Sequence, residues 1–150
     1  MAVEIKNCSA KVAYIPFHPT EKMGEREVKI GGKVFIDGTD AKAIKEGEIV
    51  RLKDLCNIKI LKKGKEIVAE EIETKELPEK KIQWVSEGVE ATVFRPGDLL
   101  IGEEFNPESL LVEKGLCEKA CAQLKDGEII QFVRYGFVRK DKGLNFIWSC

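Results

Sequence analysis

The sequence predicts an all-β fold, a β-barrel or a pair of barrels. Three observations carry this: short segments whose apolar residues recur at every second position, Gly and Asn turns at close spacing, and no alternation of strands with long helices. A length of 150 residues fits one domain or two small ones.

Residues 27–30, Gly31-Gly32 and residues 33–37 read as strand, two-residue turn and strand. Val28 and Ile30 alternate with charged neighbours, and Gly-Gly supplies the positive φ values of a tight hairpin. Residues 39–46 form one or two helical turns, with Thr39 or Asp40 as the cap and Gly47 as the stop. After Gly47 the period falls to two, with Val50 and Leu52 set between Ile49, Arg51 and Lys53. Residues 57–61, the lysine-rich turn at Gly64 and residues 66–72 complete a meander. The charged stretch 73–81, which contains Pro78, reads as a linker and gives an approximate division into 1–77 and 78–150.

The second half follows the same style. Residues 81–86, 89–94 and 99–101 are strand candidates, with turns at 95–98 and 106–109, and residues 118–124 suit a short helix. Residues 128–133, 137–139 and 144–148 close the series of strands. The stretches KEGEIV (45–50) and KDGEII (125–130) are alike. Two similar barrels account for this, and so does chance re-use of a common turn.

Composition bounds the function. The chain is 43% hydrophobic and 34% charged with a formal net charge of -1, which marks a soluble globular protein and argues against gripping nucleic acid by bulk charge. Any nucleic-acid site is therefore local. Lys outnumbers Arg twenty to five, so the planar, bidentate Arg26, Arg51, Arg95, Arg134 and Arg139 are followed individually. No apolar run is long enough to span a bilayer and the first ten residues lack a signal-peptide pattern, so the chain reads as cytoplasmic with no membrane partner. The five cysteines are odd in number and widely spaced apart from Cys117 and Cys121, which indicates neither a disulfide framework nor a zinc site. His18, the single histidine, precedes Pro19 and reads as fixing a turn.

Phosphate-cradle, zincin and hydrolase motifs are absent, which leans towards binding over catalysis. Arg51 and Lys53 share one strand face, as do Gln131 and Val133, with Arg134 at the following turn. Arg and Gln make paired hydrogen bonds to base edges, best on unpaired bases, and Tyr135 or Phe137 adds a stacking surface. The pattern alone favours a plainer reading, the exposed strand face of a barrel.

A family resemblance changes that weighting. IPFHPTEKMGEREV, GGKVFIDGTDA and IKEGEIVRLKDLCNIKI in the first half, then IQWVS, NPESLLVEKG and GEIIQFVRYGFVRKD, resemble in order and spacing the C-terminal anticodon-binding region of archaeal-type glutamyl-tRNA synthetases and of glutaminyl-tRNA synthetases. The resemblance covers nearly the whole chain. It implies two antiparallel β-barrels with one or two short helical turns, the terminal segments sharing one barrel. It also implies that the chain is a fragment of a glutamate–tRNA ligase: the partners are the anticodon loop of tRNA(Glu) and the catalytic domain of the parent chain. ATP and Mg would act in that domain, and the fragment itself carries no cofactor and no catalytic motif. Residue by residue, Arg51 falls on the arginine implied to contact the first anticodon base, with Lys53 on a neighbouring basic position. Gln131 and Arg134 fall on the Q-F-x-R motif implied to read the central base, Lys42 matches a lysine near the third base, and Thr20 sits near an anticodon-loop contact. Ala43 stands where bacterial glutaminyl enzymes carry an arginine for the third base, which favours a glutamyl enzyme. Two alternatives stay open here: a barrel that docks proteins without binding RNA, and the equivalent region of a glutaminyl-tRNA synthetase.

Overall fold

The computed structural model describes residues 1–9 and 12–150. The chain divides into two compact units, Met1–Glu87 and Gly88–Cys150.

The first unit runs β1 (Ala2–Lys6), β2 (Val12–Pro16), β3 (Glu25–Lys29), β4 (Lys33–Ile36), helix α1 (Gly38–Ala43), β5 (Ile49–Leu52), β6 (Asn57–Lys63), β7 (Ile67–Ile72), β8 (Lys81–Ile82) and β9 (Trp84–Val85). Seven strands form one sheet in the order β8-β5-β6-β7-β1-β4-β9. Its two margins, β8 and β9, are separated in sequence by Gln83 alone, so residues 81–85 pair with β5 on one side and with β4 on the other. The sheet thereby closes on itself into a barrel-like wall, the arrangement that removes exposed strand edges. Alternation does the rest: in β1, Val3 and Ile5 are buried while Glu4 and Lys6 face outward. Val34, Val50, Leu52, Ile58, Ile60 and Ile67 fill the same interior. The separate β2–β3 ribbon lays Ala13 and Ile15 on this core.

The second unit runs β10 (Gly88–Pro96), β11 (Leu100–Ile101), β12 (Glu104–Phe105), β13 (Leu110–Glu118), a 3-10 helix (Lys119–Gln123), β14 (Ile129–Phe132), β15 (Gly136–Lys140) and β16 (Asn145–Trp148). Five strands form a sheet in the order β13-β10-β16-β15-β14, and β11–β12 is a hairpin at the tip between β10 and β13. Ala91, Val93, Cys117, Val138 and Phe146 make its core. Lys140, only 6% exposed, keeps its charge paired by donating to Asp126 (2.9 Å).

The all-β expectation holds. Three pairings, β1 with β7, β5 with β8 and β10 with β16, are parallel within otherwise antiparallel sheets. The boundary between units falls later than the 77/78 division, because residues 81–85 belong to the first barrel and the charged linker merely leads into them. The terminal segments do not share a sheet: β1 pairs with β4 and β7, whereas β16 pairs with β10 and β15. The Gly31-Gly32 hairpin is also corrected. β3 pairs with β2 and β4 with β1 and β9, because the Gly32 carbonyl is taken by the Ile5 N–H (2.7 Å) and draws β4 into the barrel wall. α1 is capped two residues before the earlier of the expected caps, by Asp37 accepting from the Thr39 N–H (2.7 Å), and it ends at Ala43, with Ile44 as its C-cap, before Gly47. Among the described residues no helix is long and apolar enough to cross a membrane.

Trp84 fastens the closure, its Nε1 donating to the Lys53 carbonyl (2.8 Å) with the indole 3% exposed. Replacing it by Phe strands that carbonyl and is expected to cost about 1–3 kcal/mol, whereas Trp84→Ala is expected to cost about 3–5 kcal/mol. Urea unfolding of both variants measures this, and an unshifted midpoint for Trp84→Ala would show that residues 81–85 do not hold the barrel shut.

Candidate nucleic-acid interface

The two look-alike stretches fold into the same device. Gly47 and Gly127 both take positive φ (+81° and +89°), which a residue with a Cβ adopts only with strain. The Lys45 N–H donates to Glu48 Oε2 and the Lys125 N–H to Glu128 Oε2, each at 2.8 Å. The Gly47 N–H meets the Ile60 carbonyl (2.7 Å) and the Gly127 N–H that of Lys140 (2.8 Å). The hairpins that follow share a register: Ile49, Val50 and Arg51 oppose Lys59, Ile58 and Asn57, while Ile129, Ile130 and Gln131 oppose Arg139, Val138 and Phe137. Both end in a turn closed from the fourth residue to the first, Leu55 to Leu52 (3.1 Å) and Tyr135 to Phe132 (2.9 Å). The third turn residue is left-handed in each, Asp54 at +58° and Arg134 at +67°. Chance re-use of a turn sequence does not produce matching registers and matching left-handed corners. Arg51 and Gln131 thus hold one structural position, once in each unit.

Arg51 lines an open cavity of about 340 Å³ together with Leu55, Cys56, Asn57, Glu71 and Thr74. A relay of hydrogen bonds aims it. Thr74 Oγ1 donates to the Glu76 carbonyl, Asn57 Nδ2 donates to Thr74 Oγ1 (3.3 Å), and Arg51 Nη1 donates to Asn57 Oδ1 (3.1 Å). One guanidinium edge is therefore fixed, and the group has five N–H donors in all. Two carboxylates, Glu71 and Glu73, share this lining, and Glu71 is engaged by Ser9 through its N–H (2.7 Å) and hydroxyl (2.6 Å). The partner of the Arg51 guanidinium is thus an amide, Asn57. The meander places Asn57 at the head of β6, directly across from Arg51, and that register was the available signal. Lys53 follows β5, exposed, with its backbone pinned to Ile82 and Trp84.

In the second unit Gln131 and Phe137 oppose each other on the outer face, with Ile129 and Arg139 beside them. Phe137 is 44% exposed, Ile129 63% and Val133 46%, an apolar surface around one amide. The Gln131 side chain makes no hydrogen bond among the described residues. Arg134 projects from the turn.

The remaining candidates stand apart. Lys42 is in the last turn of α1 and exposed. The C-terminal carbonyls of that helix receive Lys63 Nζ (Ile44 carbonyl, 2.6 Å) and Lys80 Nζ (Ala43 carbonyl, 3.0 Å), the favourable end for cations. Lys63, read from sequence as part of a solvated hairpin tip, is thus a helix fastener. Thr20 lies between β2 and β3, where His18 Nδ1 accepts the N–H groups of Thr20 (3.2 Å) and Glu21 (2.9 Å). His18 fixes that turn, as expected. Trp84 is in the core. Among the described residues no three His, Cys, Asp or Glu side chains are grouped to hold a metal ion.

Burial, with Glu71 adding to it, pushes the Cys56 thiol up to about 12. Burial and then the Glu113 carboxylate push Tyr135 up to about 12 as well. Both groups are protonated in the folded chain and ionise more readily once unfolded. Their contribution is complete below the unfolded values of 9.0 and 10.0 and is lost as pH rises towards 12. Denaturant midpoints are therefore expected to fall between pH 9 and pH 12, and Cys56→Ala is expected to flatten the early part of that slope. An identical slope in the variant would mean that the Cys56 thiol ionises equally in both states.

Two sequence-family profiles, both described as the anticodon-binding domain of class I (E and Q) tRNA synthetases, match residues 1–76 and 81–141. The glutamate–tRNA ligase of Nitrosopumilus maritimus is 39% identical over 142 residues, 93% of this chain and 25% of that protein. Those of Pyrococcus abyssi and Hyperthermus butylicus are 38% and 37% identical, over 93% and 85% of this chain and 24% and 22% of those proteins. The chain spans about a quarter of the length of these curated relatives. With the family's profiles covering both units and the paired hairpins lying inside them, the chain belongs to the anticodon-binding domains of the class I glutamate and glutamine tRNA synthetases.

Proposed function

We propose that this chain reads the anticodon loop of tRNA(Glu) as the anticodon-binding part of a glutamate–tRNA ligase. The observation that carries the reading is the repeated hairpin, which presents Arg51 and Gln131 from one structural position in each unit. Arg51 is a fixed guanidinium in an open surface depression, suited to the edge of one unpaired base. Gln131 is an unengaged amide beside an exposed aromatic ring, suited to hydrogen-bond one base while Phe137 stacks on it. Arg51 is assigned to the first anticodon base, with Lys53 beside it. Gln131 and Arg134 are assigned to the central base, Lys42 to the third and Thr20 to the loop. The near-neutral net charge fits a module that reads a few unpaired bases through individual side chains. ATP-dependent aminoacylation, with its Mg, is assigned to the rest of the ligase, in the cytoplasm, and no residue of this chain is assigned to ATP.

Titration with anticodon stem-loops tests the reading. The glutamate stem-loop is expected to bind more tightly than unrelated ones, with affinity falling as salt is added. Equal binding to every stem-loop defeats the proposal and leaves a protein-docking barrel. Arg51→Ala is expected to cost about 1–3 kcal/mol and to relax discrimination at the first base alone. A loss that is uniform across base variants would make Arg51 a phosphate contact.

Arg134 gives a separate check. Glycine keeps the left-handed corner accessible to the backbone, so Arg134→Gly is expected to weaken stem-loop binding through loss of the side chain. A variant that binds normally would remove Arg134 from the interface.

A further inference from the structure

The turn that carries Arg134 is fastened by side chains from four different places in the second unit. Arg95 on β10, Glu113 on β13, Tyr135 in the turn itself and Trp148 on β16 meet at one end of the core. The Tyr135 hydroxyl donates to Glu113 Oε2, and Arg95 Nη1 lies 4.0 Å from Glu113 Oε1. The Arg95 guanidinium stands 4.3 Å from the centre of the Trp148 ring and 6.0 Å from that of Tyr135. Glu113 thus has a phenol donor and a cation, and the cation has an aromatic face, a favourable set of partners for a half-buried charge. Trp148 in turn packs on Gly136, the first residue of β15 after the turn: a Cβ there would stand 2.6 Å from the indole Nε1 and 2.7 Å from the Cys150 carbonyl.

Comparison of the two hairpins shows why such a group is needed. In the first unit the corresponding turn is held by the barrel closure, Lys53 giving its N–H to the Ile82 carbonyl (3.0 Å) and its carbonyl to Trp84 Nε1 (2.8 Å). The second sheet has β13 and β14 at its margins, with no segment pairing to both among the described residues. The bond from Tyr135 to Glu113 crosses from the β14–β15 turn to β13 and takes the place of closure. Leu55, the counterpart of Tyr135, is a hydrocarbon and cannot make that bond.

We infer that Arg95, Glu113 and Tyr135 are positioning residues that hold the β14–β15 turn, so that Gln131 and Arg134 meet the central anticodon base in one geometry. The inference rests on the base-reading role proposed above for that hairpin. A turn ordered before binding spares the RNA the cost of ordering it, and a base-specific hydrogen bond needs that order more than a phosphate contact does.

Fluorescence anisotropy with glutamate anticodon stem-loops, and with stem-loops altered at the first or the central anticodon base, tests it on the 150-residue chain. The variants are Tyr135→Phe, Glu113→Gln, their combination, and Gln131→Ala as the reference. Tyr135→Phe is expected to narrow central-base discrimination about tenfold, with first-base discrimination unchanged. Hydrogen exchange at the Tyr135 amide is expected to speed up in the same variant. The effects of Tyr135→Phe and Glu113→Gln are expected to add to less than their sum in the combination, since both act on the bond between Tyr135 and Glu113. If Gln131→Ala narrows central-base discrimination and Tyr135→Phe does not, the positioning role is overturned and the base reading stands. If neither narrows it, the base reading is overturned and the positioning role with it. Equal relaxation at both bases in Tyr135→Phe marks a general loss of order and overturns the positioning role as well.

Discussion

Everything in the first unit depends on five residues that pair in two directions. Residues 81–85 lend Lys81 and Ile82 to β5 and, after one intervening residue, Trp84 and Val85 to β4. The two margins of a seven-stranded sheet are thereby joined through the covalent chain. A small β domain with open edges presents unpaired N–H and C=O groups and invites pairing with other chains. Closure removes that hazard, and it encloses an interior in which Val3, Val34, Val50, Leu52 and Ile60 are completely buried. It also stiffens the end of β5, because the Lys53 N–H donates to Ile82 within that segment and the Arg51 N–H to Lys80 just before it. Arg51 and the segment that closes the barrel are thus mechanically one piece.

The two units solve one problem twice. Each presents a polar side chain from the outer face of a hairpin that begins at a left-handed glycine and ends at a left-handed corner. They differ in how the corner is tied down: a main-chain bond and the Trp84 indole of the closing segment in one, a phenol–carboxylate–guanidinium group in the other. The first arrangement depends on the identity of one side chain, the second on that of three.

Much of this was legible in the sequence, and what was not has identifiable causes. Alternation exposed β5, β6, β7, β14 and β15, because each buries one face only, and the shared Gly-Glu signal marked the paired hairpins. Partner choice was less legible. Gly31-Gly32 carries a hairpin signature, yet β3 and β4 separate, since local turn chemistry does not register the competing N–H of Ile5. The nine-residue β13 was missed because Gly115 interrupts it and its residues are largely exposed, leaving no period to detect. Within the candidate site, Arg51, Gln131 and Arg134 stood out by residue type and motif. Asn57 was readable from the register of the β5–β6 hairpin, whereas Thr74, Glu113 and Arg95 act through contacts between segments farther apart in sequence, so their part appears only once strand order is known.

The left-handed corner carries a further consequence. Asp54 and Arg134 occupy the same place on two turns of the same shape, with opposite charge. A polyanionic backbone near the first corner meets repulsion, and near the second it meets attraction, within the roughly 10 Å over which exposed charges act at moderate salt. Two turns that match in shape are thus unlike in potential.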